Sequence, residues 1–176
     1  MDDFWLSDVN ENLLGKLYDW IKNETRFEYF TCRPVGTVPS FDEWMRKTKL
    51  SVEKNEMVLK VLIHKTSSET PIGRVKCFDF NPRNKSFEIG FYFPEENRGK
   101  GFGKVILGLM LDHMFNASDF EPNKIYATTA SNNIPSVKIL ESCGFHKDGE
   151  NREHYWIKEN RYSQLVYSIL RSEWQN

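Results

Sequence analysis

The sequence has few cysteines and no long hydrophobic run, and both scarcities exclude whole classes of protein. No apolar stretch approaches the ~18–20 residues that a helix needs to cross a bilayer. The N-terminal segment is acidic and lacks the basic and apolar regions of a secretion signal. Cys32, Cys77 and Cys143 are widely spaced and form no C-x-x-C pair, so neither a zinc cluster nor a disulfide framework is expected. We therefore expect a cytoplasmic protein with no membrane partner.

The chain also lacks an excess of either charge. Its 24 basic and 25 acidic residues give a formal net charge of −1, so no overall field would attract nucleic acid. Any anion site must be local. The histidines show no spacing typical of a metal site, and no metal is expected. At 176 residues the chain is most simply one domain, 1–176, long enough to bury a large core.

Hydrophobic periodicity and turn residues predict four helices and six strands. The predicted helices are 8–22, a second from a capping box at Ser40 and Glu43 to about Leu50, one following the glycine-rich turn to Asn116, and 135–142. The predicted strands are 57–63, 72–80, 86–93, 125–130, 145–157 and 161–170. A helix joins the third and fourth of these strands, which are therefore expected to be parallel.

One stretch carries the strongest chemical signal. Between the strand-like SFEIGFYF and the helical VILGLMLDHMFN lies RGKGFGK, in which Gly99, Gly101 and Gly103 occupy every second position. Glycine lets backbone N–H groups approach a bulky anion without a Cβ clash. The first amides of the following helix are unpaired and lie at the positive end of its dipole. The stretch therefore predicts a phosphate or pyrophosphate site.

Two common phosphate loops do not fit this spacing. A Walker loop needs a serine or threonine after Gly103 and Lys104, where this chain has Val105. A dinucleotide fingerprint, G-x-G-x-x-G, is one residue longer, and no clear acidic residue follows at the expected distance. A plain surface turn is the remaining alternative.

The pattern Arg98-x-x-Gly101-x-Gly103 resembles the coenzyme loop of the GNAT superfamily of N-acetyltransferases. A second segment, 132–145, resembles the superfamily motif N-x-x-S-x-x-x-L-E-x-x-G-F and follows the loop by one helix and one strand. The tail from 152 to 171 also resembles the branch that acetylates the N-termini of ribosomal proteins, as does Glu88-Ile89-Gly90.

The resemblance implies an α/β fold of the α+β kind, with a mixed, mostly antiparallel sheet splayed at its centre and flanked by about four helices. Acetyl-CoA would lie in the opening between strands 86–93 and 124–130. Its pantetheine arm would pair with the backbone of Phe91, Tyr92 and Phe93 as an added strand does. Its pyrophosphate would rest on the loop residues Arg98, Gly99, Lys100, Gly101, Phe102, Gly103 and Lys104. Asn133 and Ser136 would contact the pantetheine or the thiol end.

Direct acetyl transfer to an amine requires an oxyanion donor and an acid for the departing thiolate. The backbone N–H of Phe91 or Tyr92 is the predicted donor. Many family members use a tyrosine as this acid, at the position where this chain has Leu140. The resemblance therefore implies Ser136 as the acid, helped by Asn133. The alternative is that Ser136 only stabilises the first helical turn.

The identity of the general base stays open. Some relatives carry a glutamate where this chain has Thr128, which cannot serve, so the candidates are Glu88, Glu153 and His154. A protein α-amine, with a pKa near ~7.7–8.0, is substantially neutral at physiological pH, whereas lysine, near ~10.4, is not. A weak base therefore suits an α-amine.

The sequence thus predicts an acetyl-CoA-dependent N-acetyltransferase acting on a primary amine, with a protein or peptide N-terminal α-amine as first candidate. A small amine is the alternative: a polyamine, which an acidic pocket would favour, or an antibiotic. A non-catalytic acyl-CoA-binding module is the alternative from another class. The loop 23–39 is predicted to border a pocket, the alternative being that its aromatic residues only fill the core. The segment 27–44 is expected to decide between the acceptors. We expect a monomer or a homodimer.

Overall fold

A computed structural model describes residues 3–26, 37–67 and 70–174, which form one seven-stranded sheet with helices on its faces. The strands are β1 (Phe4–Asp8), β2 (Met57–His64), β3 (Gly73–Asn81), β4 (Ser86–Tyr92), β5 (Lys124–Ala130), β6 (His146–Ile157) and β7 (Asn160–Leu170). The α-helices are α1 (Glu11–Asn23), α2 (Phe41–Glu53), α3 (Phe102–Asp112) and α4 (Ile134–Ser142).

The strand order is β1-β2-β3-β4-β5-β7-β6, and among these described strands only the β4–β5 pair is parallel. The predicted mixed, mostly antiparallel sheet is confirmed. The parallel pair is the one joined through a helix, because a crossover connection is needed to bring the chain back in the same direction.

The N-terminal segment differs from the prediction. Residues 4–8 form the edge strand β1, which pairs with β2, and α1 begins only at Glu11. The cap is Asn10, whose side chain accepts a hydrogen bond from the Leu13 amide at 2.9 Å. The predicted start at residue 8 is therefore wrong. Ser40 caps α2 as predicted, with its hydroxyl accepting from the Glu43 amide at 3.3 Å. The Glu43 carboxylate accepts from Lys47 Nζ at 2.7 Å, so this half of the box is what the structure shows, and the helix continues past Leu50.

Each face of the sheet carries its own core. On one face lies α3, whose Ile106, Leu107, Met110 and Leu111 are fully buried in the cluster that includes Phe87 of β4. On the other face, α1 and α2 pack on β2, with Leu13, Leu14 and Leu17 buried against Leu59, Val61 and Ile63. Burial of α3 fixes the position of its N-terminus relative to the end of β4.

The sheet is parted in its middle. β4 and β5 pair only at Ser86↔Lys124, Phe87↔Ile125 and Glu88↔Tyr126. Beyond these residues β4 continues along β3 to Tyr92, and β5 continues along β7 to Ala130. The two strands therefore diverge from Glu88 onward, and the predicted central splay is confirmed.

Part of the loop predicted to border a pocket, residues 27–36 with their aromatic side chains, lies outside the described residues, and so does Cys32. No helix in the described ranges is long and apolar enough to cross a membrane. The same ranges hold no group of three or more His, Cys, Asp or Glu side chains placed to bind a metal ion.

Candidate active site

The glycine loop follows β4 directly and has a left-handed backbone at two points. Gly99 has φ +73° and Gly101 has φ +81°, a region that side chains with a Cβ rarely adopt. A Cβ at either position would meet nothing within 4 Å. The backbone conformation, and not crowding, therefore requires glycine here, and the space beside the loop is open to a ligand.

The loop begins with a short 3₁₀ turn, Glu95–Asn97, in which backbone amides are hydrogen-bonded within the turn itself. The amides of Asn97 and Arg98 donate to the carbonyls of Pro94 and Glu95 at 2.9 and 3.2 Å. The Asn97 side chain donates to the Ile72 carbonyl at 2.9 Å. The start of the loop is therefore anchored, which leaves the amides after Arg98 and those of the first turn of α3 to receive an anion.

Gly103 serves a different purpose from the other two loop glycines. A Cβ there would lie 2.8 Å from Cγ1 of Ile139 in α4, and closer still to its Cδ1. The third glycine therefore permits the N-terminus of α3 to pack on α4. In this way the two sequence motifs, separate along the chain, come into contact.

The parted strands offer a backbone edge to the coenzyme. The Lys85 carbonyl, just before β4, accepts from the amides of Asn123 and Lys124 at 2.8 and 3.2 Å. Backbone groups alternate sides along a regular strand, so the odd-numbered residues of β4 point their N–H and C=O groups towards β5. Past Glu88, those of Ile89 and Phe91 face the opening.

The same alternation separates the two predicted oxyanion donors. By this alternation the even-numbered Tyr92 points its backbone groups towards β3 and away from β5. Phe91 faces the opening instead. An amide-rich pantetheine arm matches such an unpaired edge, and its pyrophosphate matches the glycine loop at the open end. The residues present therefore fit CoA.

The second motif lies at the open end of β5. Asn133 caps α4, and its side-chain oxygen accepts from the Ser136 amide at 3.4 Å. Its own amide donates to the carbonyl of Ala130, the last residue of β5, at 2.9 Å. The half-buried Ser136 is in the first turn of α4. Leu140 is buried in the core, so it supplies no acid in place of the family tyrosine.

Glu88 lies at the point where β4 and β5 separate. Its carboxylate accepts a hydrogen bond from the Thr128 hydroxyl of β5 at 2.7 Å. The two positions weighed as base in the sequence thus contact each other across the junction. Burial, together with the nearby Glu88 and Asp79, raises the pKa of Tyr126.

The other two candidate bases lie elsewhere. Between its pairs Asn151↔Gln164 and Tyr155↔Tyr162, β6 bulges away from β7. Glu153, in this bulge, is exposed and forms an ion pair with Arg161 at 2.9 Å. His154 is exposed and contacts the Tyr155 ring edge-on. No contact within the described ranges joins either residue to Glu88 or Ser136.

A pocket of about 270 Å³ lies beside the end of β4, and the sequence did not predict its members. Its lining comes from the end of α1, from Tyr92, from the turn after Pro94 and from Arg98. Four of the lining residues are acidic: Asp19, Glu24, Glu95 and Glu96.

Glu24 is the most connected of these acids. Its Oε2 accepts from the Tyr92 hydroxyl at 2.7 Å and from Arg98 Nη2 at 2.6 Å, and its Oε1 accepts from the Arg26 amide at 2.8 Å. Burial raises the pKa of Glu24, but these hydrogen bonds outweigh it and hold the pKa below its usual range. Burial and the Glu24 carboxylate raise the pKa of Tyr92.

Arg98, predicted to hold pyrophosphate, thus directs its side chain to Glu24 and to the Phe93 carbonyl, to which Nε donates at 2.9 Å. Two guanidinium groups lie over the Tyr92 ring: those of Arg74 and Arg98 are 5.4 and 5.6 Å from its centre.

Known proteins share this fold. The chain superposes over its full length on the crystal structure of a spermidine N-acetyltransferase from Vibrio cholerae in complex with CoA and spermine, with a TM-score of 0.87, 23% identity and full coverage of both chains. A dodecameric structure of the Vibrio cholerae enzyme superposes with a TM-score of 0.82 at 24% identity, covering 100% of this chain and 98% of that one.

The sequence has relatives of the same kind. It is 29% identical over 135 residues to YokL, an uncharacterized N-acetyltransferase derived from the SPbeta prophage of Bacillus subtilis, covering 76% of this chain and 71% of YokL. It is 30% identical over 105 residues to the spermidine N(1)-acetyltransferase of Vibrio cholerae, covering 60% of each. The family model of the acetyltransferase (GNAT) domain matches residues 4–146. The chain belongs to the GNAT family of N-acetyltransferases, and acetyl-CoA is its acetyl donor.

Proposed function

We propose that this enzyme acetylates a primary amine of a small polycation of the polyamine class. The acidic pocket beside the coenzyme loop carries the proposal, because such a lining attracts an acceptor with several ammonium groups. The spermidine N-acetyltransferases among its relatives support the same class of acceptor.

Three carboxylates are placed to receive the ammonium groups. Asp19, Glu95 and Glu96 are exposed and line the pocket from α1 and from the turn before the loop. Glu24 is already neutralised by Arg98. Exposed pairs of opposite charge are individually weak and are screened by salt, so affinity for the acceptor would come from several pairs together and would fall as salt rises.

The chemistry assigns separate roles along the opening. The amine nitrogen forms a bond to the acetyl carbon while the C–S bond breaks, and the Phe91 N–H, which faces the opening, donates to the oxygen that gains charge. Glu88, oriented by Thr128, takes the proton of the amine. Ser136 is the donor to the departing sulfur, with Asn133 holding the turn that carries it.

A protein N-terminal α-amine is the second candidate acceptor, and the ribosomal-protein branch suggested by the sequence stays a prediction. The observation that favours it is that the proposed general base has little support: among the described side chains, Glu88 has only the Thr128 hydroxyl as hydrogen-bond partner. An α-amine needs less help to lose its proton than an aliphatic amine of pKa near ~10.4.

Release of the CoA thiol against a panel of acceptors tests the proposal. The panel contains spermidine, spermine, an aminoglycoside and peptides with free serine or alanine N-termini. We expect turnover with spermidine and spermine at far lower concentrations than with peptides. Turnover on peptides alone would favour the second candidate, and CoA binding without turnover on any amine would favour a non-catalytic acyl-CoA-binding module.

The assembly state is also a prediction. We expect a monomer or a homodimer, and light scattering of the purified protein measures it. A dodecamer, the state of the Vibrio cholerae enzyme in one of its structures, would make that expectation wrong.

A further inference from the structure

Three segments meet at the Glu24 carboxylate. Tyr92 ends β4, Arg98 precedes the first loop glycine, and Arg26 follows α1; all three donate hydrogen bonds to Glu24 at 2.6–2.8 Å. Only 4% of the Glu24 side chain is exposed. A carboxylate this buried needs such donors to offset its lost hydration. The Glu24 carboxylate is therefore part of a buried hydrogen-bond network and not an incidental surface ion pair.

The Arg98 guanidinium is fixed at two ends. Nε donates to the Phe93 carbonyl at 2.9 Å and Nη2 to Glu24 at 2.6 Å, so its plane is tied both to the end of β4 and to α1. Gly99, the next residue, has φ +73° and no side chain to hold it. The turn before the loop is anchored by its backbone and by Asn97, and the Arg98 side chain adds the last fixed point before the glycines that present their amides to the coenzyme.

We infer that Glu24 is a positioning residue for acetyl-CoA: by clamping Arg98 to the ends of β4 and α1, it sets the glycine loop for the pyrophosphate. This goes beyond the proposed acceptor class, because it concerns the donor and holds for any amine. The alternative for a carboxylate lining this pocket is direct binding of the acceptor.

The contacts favour the clamp over direct acceptor binding. Both oxygens of Glu24 are occupied by donors from the chain itself, whereas Asp19, Glu95 and Glu96 are exposed to the pocket. An ammonium group at Glu24 would have to displace Arg98 or Tyr92. The structure thus divides the four acids of the pocket into one that orders the loop and three that face the acceptor.

Calorimetric titration of CoA into the wild type and Glu24→Gln tests the clamp without any acceptor. Since hydrogen bonds to charged groups are among the strong ones, we expect about a tenfold weaker Kd for CoA. The KM for acetyl-CoA should rise similarly, with little change in the KM for the amine. Unchanged CoA affinity, or a rise confined to the KM of the amine, would overturn the inference.

A matched control is Asp148→Asn, which removes the partner of another charged donor, Lys124 Nζ at 2.8 Å, near the closed end of the parted strands. It should bind CoA as the wild type does. If Glu24→Gln fails to fold, Arg98→Lys serves instead, because an ammonium group cannot satisfy both Phe93 and Glu24 in one plane. Wild-type CoA affinity in Arg98→Lys would contradict the clamp.

A double-mutant cycle tests whether the two residues act as one unit. Glu24→Gln combined with Arg98→Met should weaken CoA binding no more than the worse single variant, because either change alone already releases the loop. Additive losses would mean that Glu24 and Arg98 act independently, which would overturn the inference. A failure of the acceptor panel leaves this measurement intact, since CoA alone is the probe.

Discussion

The two proposed sides of the opening would recognise their ligands with different atoms. The proposed coenzyme side consists of backbone: the edge of β4 at Ile89 and Phe91, the amides after Arg98 and the first turn of α3. The proposed acceptor side consists of side chains contributed by α1 and by the turn before the loop. Backbone geometry is set by glycine and by the buried α3, whereas the acidic pocket depends on charge.

This difference implies that the two sides should respond to different perturbations. Changes in backbone freedom should weaken the coenzyme and spare the amine, whereas removal of charge or addition of salt should weaken the amine and spare the coenzyme. Glu24 is the exception, because it lines the pocket but contacts the loop arginine.

The largest effect is expected from Gly101→Val. A β-branched residue is strongly disfavoured at φ +81°, so the loop would rearrange and its amides would leave their places. Losing about two hydrogen bonds to a charged group, each worth roughly 1.5 kcal/mol or more, predicts about a hundredfold weaker CoA binding by calorimetry. Gly149→Val is the control, because Gly149 also has open space but no left-handed backbone. Equal CoA affinity in the two variants would break the comparison.

A smaller effect is expected from the double variant Glu95→Gln, Glu96→Gln. Removing two exposed carboxylates from the pocket should raise the KM for spermidine by about tenfold at low salt, and by less at high salt, because screening already weakens these pairs. The KM for acetyl-CoA should stay near the wild-type value. Steady-state kinetics at two ionic strengths measure both. A rise in the KM for acetyl-CoA alone would contradict the assignment of these acids to the acceptor.

The two glycines of α3, Gly103 and Gly108, test whether packing sets the position of the helix that follows the loop. Gly103→Ala would force a Cβ into Ile139 and should cost about 1–3 kcal/mol of stability. Gly108→Ala meets nothing within 4 Å and should stabilise the helix by up to about 1 kcal/mol. Thermal unfolding should therefore shift the Tm in opposite directions, by roughly 2–4 °C for each kcal/mol. Shifts of the same sign would mean that α3 and α4 do not pack through Gly103.

The smallest effect is expected on the Tm when the pH is lowered. The pKa of Glu24 is below its ordinary value of 4.5 in the folded chain, so its contribution to stability is complete above that value and is lost as the pH falls through the folded pKa. The Tm of the wild type should therefore fall more than that of Glu24→Gln between about pH 6 and about pH 3.5. An equal fall in Tm for the wild type and Glu24→Gln would show that the donors to the Glu24 carboxylate do not stabilise the fold.

The geometry of the glycine loop was readable from the sequence for a physical reason. Gly99, Gly101 and Gly103 occupy every second position, and the helix that follows them is apolar enough to be buried, so the local pattern contains both the turn and the helix start. That this loop binds the coenzyme stays a prediction. The splay also followed from the resemblance. The acceptor side was not readable, because Asp19, Glu24 and Glu96 are ordinary acidic residues that only the tertiary fold assembles.

Two further features of the structure were not predicted from the sequence, each for its own reason. β1 is a five-residue edge strand whose pattern is too short to distinguish from the beginning of a helix, and only its pairing with β2 identifies it. The hydrogen bond between Glu88 and Thr128 joins residues forty positions apart. The sequence indicated each as a position of interest but gave no sign that the parallel junction brings them together.

A crystal structure with bound CoA is the decisive measurement. We expect the pyrophosphate within hydrogen-bond distance of backbone amides between Gly99 and Lys104, and the pantetheine arm along Ile89 and Phe91 in the gap between β4 and β5. A coenzyme bound elsewhere, with those amides turned away from it, would show that the glycine loop is not the coenzyme site.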